Sequence, residues 1–128
     1  MTIISDAYGV HERALGARAQ RLELLAANIA NAETPKFKAK DIDFKQVLRE
    51  VQKDSINTTH GHHVIVQQND AHPDGIKYRI PINASADGNT VEMSVEQAQY
   101  GKAAADYRAT LMFIENRTSS IKRALRGE

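Results

Sequence analysis

The fold turns on Leu25-Ala26-Ala27-Asn28-Ile29-Ala30-Asn31-Ala32-Glu33-Thr34-Pro35-Lys36-Phe37-Lys38-Ala39. The first half is Ala- and Leu-rich and free of proline and glycine, as a helix requires. Asn28 and Asn31 stand three residues apart, so they share one helical face, and such side chains bond readily to nearby backbone. Thr34-Pro35 then forces the chain out of helical geometry, because the residue before a proline is pushed toward extended angles. Phe37 follows, an aromatic placed to fold back onto whatever the helix packs against.

Reading toward the N-terminus, no proline occurs between Ser5 and Ala32, and Tyr8, Leu15, Leu22 and Ile29 recur every seven residues. Leu25 and Ala32 fill the intermediate position, while His11 and Arg18 interrupt it. This is a heptad seam, imperfect at its start. Toward the C-terminus a second, stronger seam appears. Tyr100, Tyr107, Ile114 and Ile121 hold one heptad position; Ala104, Leu111, Thr118 and Leu125 hold the other. Ser94-Val95-Glu96-Gln97 reads as a capping box at its start. Gly127 supplies a stop, and Lys122, Arg123 and Arg126 suit the negative end of the helix dipole. At 1.5 Å per residue the two helices are roughly 40 and 50 Å long, a match that favours pairing along their length.

The expected architecture is therefore mainly α. Helices in 1–34 and 91–128 form one domain as an antiparallel coiled coil, and 35–90 is a linker with an extended or short-β character. The expected seam sets Leu15, Leu22, Leu25 and Ile29 against Tyr100, Tyr107, Leu111, Ile114, Ile121 and Leu125. Within the linker, Phe44, Val47, Leu48 and Val51 have helical spacing, predicting a short helix from about Asp43. Val64-Ile65-Val66 and Ile76 to Ile82 read as short strands, separated by the turn His72-Pro73-Asp74-Gly75. Pro81 confines the second to a sheet edge or to plain extended chain. Asp87-Gly88-Asn89 is a turn leading into the last helix.

Composition narrows the function. The 128 residues are 41% hydrophobic and 26% charged, with net charge +1, so nucleic acid is not an expected partner. No run approaches the ~20 apolar residues of a membrane span, and no basic-then-apolar leader opens the chain. There is no cysteine, which removes disulfides, thiolate metal sites and thiol nucleophiles. No glycine-rich phosphate loop or nucleophile elbow is present, and Glu23, Glu96, Asp106 and Glu115 read as solvated helix charges. No catalytic residue, cofactor or small-molecule substrate is expected. His60, His62, His63 and His72 could bind zinc or nickel, but they lie in a polar stretch with no rigid support, and the expected reading is a solvated loop without metal. A basic C-terminus, Arg117 to Arg126, reads as dipole complement and solubility.

Two helices alone bury little. Each also carries apolar residues off its seam: Val10, Ala14, Ala17 and Leu24 on the first, and Ala98, Ala105, Ala109, Met112 and Phe113 on the last. A helix with one neighbour needs one stripe. The second stripes are expected to meet other subunits. A free-standing helical adaptor is the competing reading.

The stretch Asn28 to Lys38 resembles the N-terminal signature of the bacterial flagellar axial proteins, the rod and hook family. In that family it runs roughly Asn-Leu/Ile-Ala-Asn, then Thr-Pro-Gly-Tyr-Lys. Asn28, Ile29, Ala30, Asn31, Thr34, Pro35 and Lys38 match; Phe37 stands for Tyr and Lys36 for the common Gly. Ala39-Lys40-Asp41, Asp87-Gly88-Asn89-Thr90-Val91 and the short length are most like the proximal rod members. The resemblance implies a structural, non-enzymatic subunit whose terminal helices line the inner tube of the rod. It implies export, unfolded and without signal cleavage, through the flagellar type III apparatus into the periplasmic part of the basal body. Implied partners are copies of itself, FlgC-like and other rod proteins, the FliE adaptor, and export-gate or membrane-ring proteins. The implied role is torque transmission and an export channel, required for motility.

Overall fold

The computed structural model describes residues 2–54 and 75–127. Helix α1 spans Thr2–Ala30, strand β1 Lys40–Ile42, helix α2 Phe44–Asp54, strand β2 Ile76–Tyr78 and helix α3 Met93–Arg126. The strand pattern at 64–66 and the four clustered histidines fall outside the described residues.

Helix α1 ends at Ala30, ahead of the proline, because Asn31 ends it from within. The Asn31 amide donates back to the Ala27 carbonyl at 2.8 Å, and the Thr34 hydroxyl donates to the Asn31 side-chain oxygen at 3.1 Å. Side-chain bonds of this kind compete with helix continuation. Lys36 then takes a left-handed backbone, φ 61°.

The middle segment forms a small platform. Residues 40–42 pair antiparallel with 78–76, Asp41 opposite Lys77. The extended stretch expected from Ile76 to Ile82 thus narrows to three paired residues. Helix α2 starts one residue after Asp43, whose carboxylate and carbonyl accept from the Gln46 N–H at 3.3 and 3.0 Å. Gly75 is left-handed, and a Cβ there would lie 2.8 Å from Val47, so glycine leaves room for the Val47 side chain of α2.

Helix α3 begins at Met93, with Glu92 as the flanking extended residue and no side-chain cap. The capping box expected at Ser94 does not form. Ser94 lies inside the first turn rather than at its flank, and the flanking Glu92 carboxylate instead accepts the Ile82 and Asn83 N–H groups at 3.1 and 3.2 Å. At the other end Gly127, φ 75°, donates to the Ala124 and Arg123 carbonyls, a left-handed C-terminal stop.

The long helices α1 and α3 pack against one another, and their cross-bonds run in opposite senses. Tyr8 reaches Thr118, Arg18 reaches Thr110, Arg21 reaches Gln99, and Asn28 reaches Glu96. The buried line between them is mostly of small residues, Ala14 and Ala17 on α1 and Ala103 and Thr110 on α3, with Leu25 the one large apolar member. Arg18, which breaks the heptad in sequence, spans the pair by donating to the Asp106 carbonyl at 2.6 Å and to the Thr110 hydroxyl.

Candidate functional site

The signature residues gather where α1 ends, and the loop 85–91 closes over them. The Asn89 amide donates to three carbonyls at the end of α1: Asn31 at 3.1 Å, Ala32 at 2.8 Å and Thr34 at 2.9 Å. These groups have no partner within the helix, so one buried side chain caps them from 55 to 58 residues away. Backbone stitches run alongside. The Lys36 N–H donates to the Asp87 carbonyl, and the Thr90 N–H to the Phe37 carbonyl. The Ala39 N–H donates to the Thr90 hydroxyl at 2.8 Å, and the Lys38 ammonium to the Gly88 carbonyl at 2.7 Å. Both stretches singled out in the sequence are therefore halves of one structure.

Asn28 joins this base to a charge network. Its side chain brackets Lys40, accepting from the Lys40 N–H at 3.1 Å and donating to its carbonyl at 2.8 Å. Its amide also donates to Glu96 at 3.1 Å. Glu96 is fully buried and pairs with Arg79, which corrects its reading as a solvated charge. Arg79 also holds Asp41 at 2.6 Å, and Asp41 takes a two-pronged bond from Arg21 at 2.8 and 3.1 Å. Two cations and two anions thus close on each other, and no buried polar side-chain atom among the described residues lacks a partner, as buried ions require. Burial pushes the Asp41 carboxyl up, but the Arg21 bond, the Ile42 N–H and Arg79 together hold it below the ordinary carboxylate range.

The motif residues Asn28, Asn31, Thr34 and Lys38 are thus brought together with bonded side chains, beside half-buried Ile29 and Phe37 and exposed Ala30 and Pro35. Of the seam residues, Leu25 is fully buried; Leu15, Leu22, Ile29, Tyr107, Ile114 and Ile121 are half-buried; Tyr100, Leu111 and Leu125 are exposed. Ala14 and Ala17, expected to face other subunits, are instead buried within the chain; being small, they set the close approach of α1 to α3. The other stripe stays open, with Ala98, Ala105, Ala109, Met112 and Phe113 all exposed.

The sequence alone does not single out Glu96, Arg79 and Arg21 as members of a site, and it marks the stretches holding Asp41 and Asn89 without giving either residue a role. It does hold one signal: Glu96, Ala103 and Thr110 recur every seven residues, so Glu96 continues the buried line. Among the described residues no group of three or more His, Cys, Asp or Glu is arranged to hold a metal, and no described helix is long and apolar enough to cross a membrane.

The segment that runs from α1 into the signature closing its base, residues 9–38, matches the family model described as "Flagella basal body rod protein". Full-length similarity is more specific. The chain is 40% identical to the flagellar basal body rod protein FlgB of Aeromonas hydrophila, covering 95% of this chain and 94% of that one. It is 40% identical to FlgB of Cereibacter sphaeroides over the whole of both chains. It is 36% identical to FlgB of Salmonella typhimurium, covering 91% and 90%. The chain belongs to the FlgB family of flagellar basal body rod proteins, a structural family not known to be enzymatic.

Proposed function

We propose that this chain is a subunit of the proximal rod, assembling through α1 and α3 into the axial tube that transmits torque and leaves a channel for export. The observation that carries this is the contrast along α3. Its inner line is packed against α1, while Met112 and Phe113 stand 60% and 67% exposed on the outside, with Leu125 at 84% near the tip. A helix apolar on a second face needs a second neighbour.

In this reading α1 and α3 are an antiparallel coiled coil. The seam of Leu15, Leu22, Leu25 and Ile29 against Tyr100, Tyr107, Leu111, Ile114, Ile121 and Leu125 is completed by adjacent subunits, which cover its exposed members. The motif Asn28, Ile29, Ala30, Asn31, Thr34, Pro35, Phe37 and Lys38 fixes the base from which the pair projects. The neighbours are copies of the chain, FlgC-like rod proteins, the FliE adaptor and components of the export gate or membrane ring. The chain reaches the periplasmic rod through the flagellar type III apparatus without cleavage. Deleting the gene should abolish motility and rod formation, and a charged residue at Leu22 or Leu111 should do the same with the chain still produced. Motile deletion cells with intact rods would refute the assignment.

A further inference from the structure

Residues 79–83 form a short arm pinned at both ends. At one end Arg79 is gripped by Glu96 and Asp41, and its N–H donates to the Ala39 carbonyl at 2.9 Å. At the other, the Ile82 and Asn83 N–H groups are held by the Glu92 carboxylate. On this arm, on either side of Pro81, Ile80 and Ile82 stand 90% and 82% exposed. A loose arm would fold such side chains onto the body. Two charged anchors and a proline, which fixes its own φ, keep this one held out, and apolar groups presented together mark an interaction site.

The charges say what covers them. From Ile80 to Glu92 the chain carries Asp87 and Glu92 and no Lys or Arg, with the Lys38 ammonium beside Asp87 engaged by the Gly88 carbonyl. The exposed surface of α3 has the opposite sign: Lys102, Arg108, Arg117, Lys122, Arg123 and Arg126 are exposed, while Glu115 is exposed and Asp106 half-buried. Lys102 and Arg108 flank the open apolar floor on opposite sides, and Asn116 continues its line one turn further on. Ala105, Ala109 and Met112 share one helical face by their spacing, with Phe113 beside them. The alanines leave room for a protruding aliphatic side chain.

We infer that the arm of one copy seats Ile80 and Ile82 on the Ala105–Ala109–Met112–Phe113 face of α3 in a second copy, with Asp87 facing the Lys102 and Arg108 cations. The two patches differ and lie on the same chain, so a contact that uses one patch from each copy is heterologous. Each copy offers a free patch to the next, giving an open array rather than a closed dimer. This rests on the rod reading and adds to it which surfaces meet.

The absence of cysteine makes the test clean. Ile82→Cys and Ala109→Cys are made as separate full-length chains, mixed and oxidised. A disulfide-linked dimer is expected at least tenfold above a control mixture of Ile82→Cys with Glu23→Cys, whose site is exposed on the other long helix. It is expected to fall several-fold in 1 M NaCl, as contacts between exposed opposite charges do. A yield no greater than the control overturns the contact. If either variant loses the wild-type circular dichroism spectrum, the pair Ile80→Cys and Ala105→Cys replaces it, with the same yields expected and the same result overturning the contact. In cells, capture of a different rod protein by Ile82→Cys, with none of this chain, also overturns it. Motility of the deletion strain reports separately. Non-motile cells without the dimer sink this contact and spare the rod reading; motile cells with the dimer do the reverse.

Discussion

The two ends of the helix pair are held by different physics. At the base, α1, α3, the small sheet and the loop 85–91 are tied by Asn28, Asn89, Glu96, Arg79, Asp41 and Arg21, each with at least one defined polar partner. Along the shaft, beyond Arg18 and Thr110, Tyr8 reaches Thr118 through a long bond of 3.3 Å, and the approach depends on Ala14, Ala17 and Ala103. Buried polar bonds are directional and fix a unique arrangement, whereas small apolar contacts are permissive. The base therefore specifies the conformation of the chain, and the shaft retains surface for neighbours.

The comparison breaks most visibly at Glu96. Removing one partner of a buried ion pair leaves the other charge stranded, at a cost of about 3–5 kcal/mol. Glu96→Ala should lower the urea midpoint by an amount equivalent to that loss, with the slope unchanged. A change under about 1 kcal/mol, well short of that cost, would mean that Arg79 finds water or Asp41 alone sufficient, and that the base is less specific than its geometry implies.

Asn89 should come next. Asn89→Ala strips a shared donor from the Asn31, Ala32 and Thr34 carbonyls. Asn31 and Thr34 keep the Thr34 and Phe37 N–H groups, so the cost should lie near the lower end of the range of about 1–3 kcal/mol for a lost buried bond. Hydrogen exchange should show the damage concentrated in 28–38 and 85–91, with the amides of α3 near Thr110 little changed. Equal loss of protection along the shaft would show that base and shaft are one cooperative unit.

The same region should set the acid response. Asp41 has its carboxyl held below the ordinary range in the folded chain. A depressed folded-state value stabilises fully above the unfolded value of about 3.9 and is lost as pH falls through the folded value. Stability should therefore be level from about pH 7 to about pH 5 as far as Asp41 is concerned, then fall below about pH 4. Asp41→Asn should be less stable at neutral pH and lose less on acidification. Identical acid slopes for the two chains would remove Asp41 from that account.

How much of the molecule is legible in the sequence follows the same divide. The helices show themselves because a seven-residue recurrence is a local pattern, readable from Tyr8 to Ile29 and from Tyr100 to Ile121. The short helix after Asp43 is legible for the same reason. Asn28 and Asn31 can be placed on one face, but their partners cannot. Asn28 bonds residues 12 and 68 positions away, and Asn89 bonds carbonyls at least 55 away. Glu96 reads as surface charge because its neutralising partner, Arg79, and its hydrogen-bond donor, Asn28, come from other elements. Strand β1 escapes a sequence reading because Lys40-Asp41-Ile42 has no alternation to reveal it; its pairing is imposed by β2 and by Asn28.

Lys36 offers a smaller, opposite effect. It adopts φ 61°, where a side chain costs roughly 1 kcal/mol or more relative to glycine, part of which the greater freedom of an unfolded glycine offsets. Lys36→Gly should raise stability by about 0.5–1 kcal/mol in chemical denaturation and leave the 85–91 stitch intact. A loss of stability would show that the Lys36 side chain makes a contribution larger than its backbone strain.

The least expected change in folding lies at Phe113, where the contrast is sharpest. It shares α3 with Glu96, yet it is two-thirds exposed while Glu96 is fully buried. Phe113→Ser should move folding stability by no more than about 0.5 kcal/mol, the range for surface positions away from structural features. If the shaft keeps its outer face for other subunits, the same substitution should nonetheless reduce motility and rod assembly in cells. Glu96→Ala would also impair assembly, but through the fold, and a lowered growth temperature should partly restore it. Phe113→Ser should resist that rescue, since no folding defect exists to repair. Full motility in Phe113→Ser cells would leave the outer face of α3 without a partner, and with it the reason for keeping a large aromatic in water.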